Sequence, residues 1–472
     1  MSRSTKQRRD RDRRYRVATS LGGGPAGAAA RYLVLCAFCA ALFLLGGGSR
    51  ADIVSLVLLR PFAVFVAAYA LLVARPGDLR AVRVPLVGLF LLALLMIVQL
   101  VPLPPSWWTA LPGRELYARI AQDAGLAMTA RPLSLAPSLT LNALFSLTVP
   151  LATILILAVQ EGPSRTRILM PVAVMGGLAV VWAVAQVAGP DRGPLYTYAY
   201  TNFGFPVGPF ANRNHLSLLL AIEFVLIAYF VAKLIDAGKL RLLFAGVIGM
   251  AAMVVLALVL VAGSRAGLVL ASLAIVAAVR IIVPNAAQVP WLKSPRVRRL
   301  GAVALLAMVA AMVAFTLYLQ QGTAIERIAG DSALKDGRFE RVGLVLRMLQ
   351  DHWIAGIGFG AFASVFTRYE TTEVLSPLIF NQAHNDWLQF LIEGGLPAAF
   401  LLLAGLMWVA RKTGEGALAR GNRFDAEGLV AVAIIVLTAI ASAVDYPLRT
   451  PIIMMLAASA TYILAGKNTR SQ

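Results

Sequence analysis

The stretch Asn381-Gln-Ala-His-Asn-Asp-Trp-Leu-Gln-Phe-Leu-Ile-Glu-Gly-Gly395 closes the longest polar insertion in the chain and opens the next apolar run, Leu396-Pro-Ala-Ala-Phe-Leu-Leu-Leu-Ala-Gly405. His384, Trp387, Leu388 and Leu391 recur at helical spacing, so the stretch reads as the first turns of a helix entering lipid with one imidazole at its mouth. A helix N-terminus favours anions. An imidazole has an unperturbed pKa near neutrality and can accept a proton there, beside a negatively charged leaving group. The plainer reading is an interfacial histidine that only caps or anchors the helix.

Composition extends this reading to the whole chain. Its 472 residues are 59% hydrophobic and only 14% charged, with a mean hydropathy of +0.76, which excludes a soluble globular protein. Apolar runs of about 18 or more residues give roughly twelve spans, each long enough to cross ~30 Å of hydrocarbon. They are predicted at 31–49, 53–74, 84–103, 138–158, 167–188, 214–232, 242–262, 265–283, 300–320, 384–410, 428–446 and 450–466. The fold class is therefore an all-α polytopic membrane protein. Residues 31–466 form one membrane domain between a basic tail, 1–30, and a short tail, 467–472. Residues 321–383 make a large loop between the ninth and tenth spans.

The net charge of +20 resembles a nucleic-acid signal, but the basic residues lie in the N-terminal tail and in short loops between spans. That is the positive-inside pattern, so no nucleic-acid partner is expected. Eight Lys or Arg fall in the first sixteen residues. They read as a cytoplasmic tail before an uncleaved span, in contact with anionic lipid headgroups. An even number of spans puts both termini on one side. With that side cytoplasmic, the loops holding Arg75, Arg80 and Arg83, then Arg165 and Arg167, Lys233 to Arg241, Lys293 to Arg299, and Arg411 to Arg423 all obey the rule. Cys36 and Cys39 both fall in the first apolar run and suggest neither a metal clip nor a redox compartment.

The remaining connections, 104–137, 189–213 and 321–383, then face outward. The last exceeds 60 residues, too long for a simple connector. Within it, Asp336 to Gln350 looks amphipathic, with Phe339, Val342, Leu346 and Leu349 on the side expected to meet the membrane surface. No phosphate-binding GxxxxGK[ST] loop is present, which disfavours an ATP-driven transporter.

Four candidate sites lie at outer ends of spans: Arg213 and His215 in Gly208-Pro-Phe-Ala-Asn-Arg-Asn-His215; Arg265 in the tight turn Gly263-Ser-Arg-Ala-Gly267; Arg338 with Arg341 behind it; and His384. Arginines at an outer boundary oppose the positive-inside bias. Arg341 and Arg347 fit snorkelling to lipid phosphate. Arg265 differs, because its flanking glycines admit close approach of a ligand or backbone. Convergent guanidinium groups bind phosphate oxygens bidentately and keep their charge. Two or three of them beside a histidine form a pyrophosphate site with a base attached. Metal catalysis is the rival chemistry, but the outer loops carry no ligand motif of familiar spacing. Asp386 and Glu393, at i and i+7, lie ~10 Å apart along a helix axis. No metal and no cofactor are expected.

These stretches, Phe210-Ala-Asn-Arg-Asn-His215, Gly263-Ser-Arg-Ala-Gly267, Arg338 followed by Trp353-Ile-Ala-Gly-Ile-Gly-Phe-Gly360, His384 to Gly395, and Asp445-Tyr-Pro-Leu-Arg-Thr450, resemble the bacterial O-antigen ligase and O-antigen polymerase family, in the family's order. The resemblance covers about residues 200–455. It implies a GT-C-like glycosyltransferase of the bacterial inner membrane, with cytoplasmic termini and a periplasmic active site. The donor would be a glycan on undecaprenyl diphosphate. The acceptor would be lipid A core, a lipid-linked glycan of O-antigen or exopolysaccharide, or a protein hydroxyl. The family's essential residues match His384, as general base, and Arg265 and Arg338, as the diphosphate clamp. Arg213, His215, Asn385 and Arg341 are the candidate substrate-contacting residues. One departure is Val342, where relatives often carry an aromatic residue four positions after the loop arginine. Alternatives of other classes are a transporter or flippase of lipid-linked sugar, for which Glu223 is the main in-span ionisable residue, and a passive envelope scaffold.

Overall fold

The computed structural model describes residues 24–160, 166–286, 337–372, 379–418 and 426–466, with isolated positions between 289 and 314. The helices are α1 Gly24–Leu45, α2 Leu56–Val73, α3 Arg83–Leu100, α4 Pro105–Thr109, α5 Glu115–Asp123, α6 Pro137–Ser146, α7 Thr148–Ala158 and α8 Thr166–Ala188. They continue with α9 Arg213–Asp236, α10 Leu242–Val261, α11 Arg265–Ala286, α12 Gly337–His352, α13 Phe362–Phe366, α14 Asp386–Leu418, α15 Ala426–Ser442 and α16 Pro451–Ala465. Taking α6 and α7 as one, nine of the described helices are long and apolar enough to cross a membrane, while α15 and α16 are shorter apolar helices. The predicted ninth span, residues 1–23 of the tail, the loop from 321 to 336 and the tail from 467 lie outside the described residues, apart from isolated positions in that span. Lipid cannot satisfy backbone polar groups, and helices satisfy their own, which is why apolar runs of this length take this form. Among the described residues, strand is limited to the pair β1 Pro102–Leu103 and β2 Arg131–Pro132, antiparallel with Pro102 opposite Pro132.

The centre of the bundle is α9. Of its apolar window 67% is buried, against 22% for α10 and 11% for α3, so α9 is surrounded by protein where the others face outward. It packs along α11, α15, α10 and α8. At the α9–α11 crossing a Cβ on Gly267 would stand 2.6 Å from the Ser217 Cβ, so only a residue without a side chain permits this approach. The outer ends of α9 and α11 are thereby held together, and those ends carry Arg213 and Arg265.

Helix α14 is two helices joined at a kink. Gly395 has φ 60° and ψ −153°, a conformation restricted to glycine, and Pro397 starts the second half. The break leaves carbonyls of the first half without helical partners, and the Trp353–Gly360 segment fills the gap. Ile357 N donates to Ile392 O, Gly358 N to Glu393 O, and Leu396 N to Ile354 O. A Cβ on Gly356 would lie 2.4 Å from Glu393 O. From α3, Gln99 Nε2 donates to Glu393 O while its Oε1 accepts from Phe359 N.

The amphipathic helix predicted around Asp336 to Gln350 is present as α12, and its other face packs on protein. Val342 and Leu346 are exposed, whereas Arg341, Val345 and Met348 are buried. The surface that α12 covers is protein: Ile357, Phe362, Phe366 and Ile392 complete its core. His352 ends α12 buried against Gly113, and neither ring nitrogen has a hydrogen-bond partner among the described residues. Burial, then the neighbouring Arg114 guanidinium, lowers its pKa to about 4.

A histidine held neutral in the folded state contributes its full stability above its unfolded pKa of 6.5, and that contribution is lost as pH falls from there toward about 4. Melting temperature should therefore fall over that window more steeply in the wild type than in His352→Leu, which fills the site without a titrating group. Parallel melting curves for the two proteins in detergent would assign the effect to another residue.

Candidate active site

Three elements meet at the end of the bundle where α9 begins. Asn212 caps α9, its Oδ1 accepting from Asn214 N at 2.8 Å. The amides of both asparagines turn to one carboxylate, Asp445 just beyond α15: Asn212 Nδ2 donates to Asp445 Oδ2 at 3.0 Å and Asn214 Nδ2 at 2.6 Å. The other oxygen, Oδ1, lies 3.2 Å from His384 Nδ1. His384 precedes α14 with φ 51°, the one positive φ outside glycine among the described residues. Such backbone strain, of order 1–3 kcal/mol, persists only where surroundings hold it in place. Here Asn385 does so as the helix cap, accepting from Leu388 N and donating to Ala443 O, while Asp386 N donates to Asp445 O.

The carboxylate accepts, so the Nδ1 of His384 carries the proton in the contact with Asp445, and Nε2 is left as the acceptor. The Asp445 side chain is 3% exposed and that of His384 15%, so the imidazole is reachable and the carboxylate beside it is not. The ring of His384 lies 4.9 Å from Tyr446 and 5.5 Å from Phe380. The Arg341 guanidinium sits 5.2 Å from the Phe380 ring, which brings α12 into the same cluster.

Beside this cluster stands a second one. Arg213 packs 4.3 Å over Phe205, and its Nη1 lies 3.5 Å from where a Gly263 Cβ would be. Gly263 has φ 61° and begins the turn that ends in Ser264, whose Oγ accepts from Gly267 N to cap α11. Arg265 is the first residue of that helix and is exposed, and no described residue pairs with its guanidinium. Arg338 lies in the first turn of α12, and its side chain falls outside the described residues.

His215 does not stand at the exposed face. It is 1% exposed, its Nδ1 is 3.0 Å from Thr450 Oγ1, and its ring meets Phe210 and Tyr446 edge-on. It touches the cluster through Tyr446, whose ring also lies against His384.

Two residues of the site carried no role in the sequence reading. One is Asp445. The other is Arg449, in the 3-10 turn Pro447–Arg449, which bridges the two acids of α14: Nη2 is 2.9 Å from Glu393 Oε2 and Nε 3.5 Å from Asp386 Oδ1. Burial alone would lower the Arg449 pKa, but Glu393 and Asp386 together raise it. Asp386 also accepts from Ser442 Oγ and Leu448 N, and Glu393 from Gln389. The signal was two acids within one apolar helix, a placement that demands a cation.

The described helices define a polytopic, all-helical membrane protein, and the candidate site lies where several of them end. Residues 250–403 match the family model described as O-antigen ligase, a stretch that holds Arg265, Arg338, Arg341 and His384. No curated protein matches the chain at a significant level.

Breaking a buried pair by removing one partner costs about 3–5 kcal/mol. Arg449→Leu should show a loss of that order in denaturant unfolding followed by tryptophan fluorescence. Adding Asp386→Asn and Glu393→Gln to the same chain should restore most of it. A single Arg449→Leu variant as stable as wild type would make the bridge incidental.

Proposed function

We propose that the chain is a glycosyltransferase of the bacterial inner membrane, active at the periplasmic face, that moves a glycan from undecaprenyl diphosphate to an acceptor hydroxyl. The observation that carries this reading is the His384–Asp445 contact, clamped by Asn212 and Asn214, beside the domain's arginines. His384 Nε2 takes the proton of the acceptor hydroxyl as its oxygen attacks the anomeric carbon. The bond from that carbon to the diphosphate breaks, and the diphosphate leaves with the electron pair. Asp445 stabilises the imidazolium that forms. Arg265 and Arg338 hold the diphosphate and the charge that develops on it, with Arg213 and Arg341 nearby. Direct displacement inverts the anomeric centre. No step uses a metal ion.

The test uses the purified chain in detergent, with EDTA, an undecaprenyl-diphosphate oligosaccharide, and either lipid A core or no added acceptor. Mass spectrometry of capped lipid A core identifies a ligase, and longer lipid-linked glycans identify a polymerase. Donor left intact in every tube, with protein hydroxyls also supplied, contradicts the reading. His384→Ala should insert normally and lose about 10²–10⁴-fold in rate, the usual contribution of a positioned base. Transfer at the wild-type rate would remove His384 from the mechanism.

A further inference from the structure

Outside residues 250–403, an arginine sits inside an apolar helix. Arg60 is the fifth residue of α2, about 6 Å along the axis from its start. Its Nη2 donates to Asn142 Oδ1 of α6 at 2.7 Å, and among the described residues no carboxylate pairs with it. A lone guanidinium at that position is costly and keeps its charge, so it calls for an anion.

Two cavities meet at Arg60. One is an apolar groove of about 530 Å³ between α2 and α6, walled by Val57, Val64, Phe65 and Phe145. The other is a chamber of mixed lining, about 110 Å³, reached by Arg50, Arg449 and Gln382, well above the ~10–15 Å³ a single water needs. Ala51, Leu56, Arg60 and Asn142 line both, so the two are continuous. Neither is lined by an Asp or Glu. Arg50 is already paired with Asp52, and Arg449 with Asp386 and Glu393, which leaves Arg60 as the uncompensated charge of the passage. At the inner end, Gln382 accepts from Gln389 and lies two residues before His384.

An apolar groove that opens past an unneutralised guanidinium into a carboxylate-free chamber matches one ligand chemistry: an apolar chain ending in a compact polyanion. We propose that the groove between α2 and α6 seats the polyprenyl chain of a lipid diphosphate, with Arg60 gripping the diphosphate at the threshold of the chamber that leads toward His384. This rests on the reading above that the donor is a polyprenyl diphosphate. It adds where that lipid binds and which residue admits it.

The full chain in phosphatidylethanolamine nanodiscs is titrated with undecaprenyl diphosphate, undecaprenol and inorganic pyrophosphate. Arg60→Gln keeps a partner for Asn142 and removes the charge. It should weaken undecaprenyl diphosphate roughly 10- to 100-fold and leave undecaprenol unchanged, in line with the loss of charge-assisted hydrogen bonds, and Arg60→Lys should recover part of the loss. Val64→Trp, on an exposed face where folding tolerates bulk, should weaken both lipids and spare pyrophosphate. A diazirine-bearing polyprenyl diphosphate should label α2 and α6. Wild-type affinity in Arg60→Gln, labelling confined to other helices, or displacement by phosphatidylglycerol at equal concentration would overturn the site. Glycan transfer that persists while labelling falls elsewhere sinks the groove alone. Labelling of the groove by a wild-type protein that transfers no glycan sinks the proposed activity alone.

Discussion

The outer end of this protein is organised by one carboxylate. Asp445 takes hydrogen bonds from the cap of α9, from Asn214 two residues on, and from the imidazole that precedes α14, while its own backbone accepts from the first residue of α14. A nearly fully buried carboxylate is stable only when its lone pairs are filled, and here three donors from two segments fill them. The same contacts hold the unusual backbone of His384 and fix which ring nitrogen faces outward. The support of the fold and the orientation of the base are one set of bonds.

Around that point the structure separates charge that supports from charge that is available. Arg449 is used up by Asp386 and Glu393, and the Arg449 bridge spans the length of helix that would be too great for a shared ion. Arg213 packs on Phe205, and Arg341 on Phe380, so both guanidinium groups are oriented by aromatic faces. Arg265 and Arg60 differ from these: the first is exposed at a helix N-terminus, and the second stands in an apolar wall with only an amide beside it. Charges not neutralised by the protein's own acids are the ones a diphosphate would meet.

Much of the fold was legible from the sequence because a single solvent, hydrocarbon, imposes it. Runs of the right length become helices, and the described helices fall where the apolar runs predicted. His384 at the mouth of a helix and the glycine-flanked turn before Arg265 were readable for a similar reason, since each is a local pattern. The rest depended on distance. Asn212 and Asp445 are 233 residues apart, and nothing local marks either as the other's partner. His215 has the same local signature as His384 yet is buried behind Tyr446, because α9 is surrounded on all sides. That the opposite face of α12 packs on α13 and Ile392 was not legible, because those partners are distant in sequence.

If His384 and Asp445 act as one unit, their losses must not add. The most direct measurement is a double-mutant cycle on single-turnover glycan transfer, comparing His384→Ala, Asp445→Asn and the double variant with the wild type. The account predicts that Asp445→Asn slows the wild type but adds little once His384 is gone. Losses that multiply, so that the double variant is slower than His384→Ala by the full Asp445→Asn factor, would contradict it.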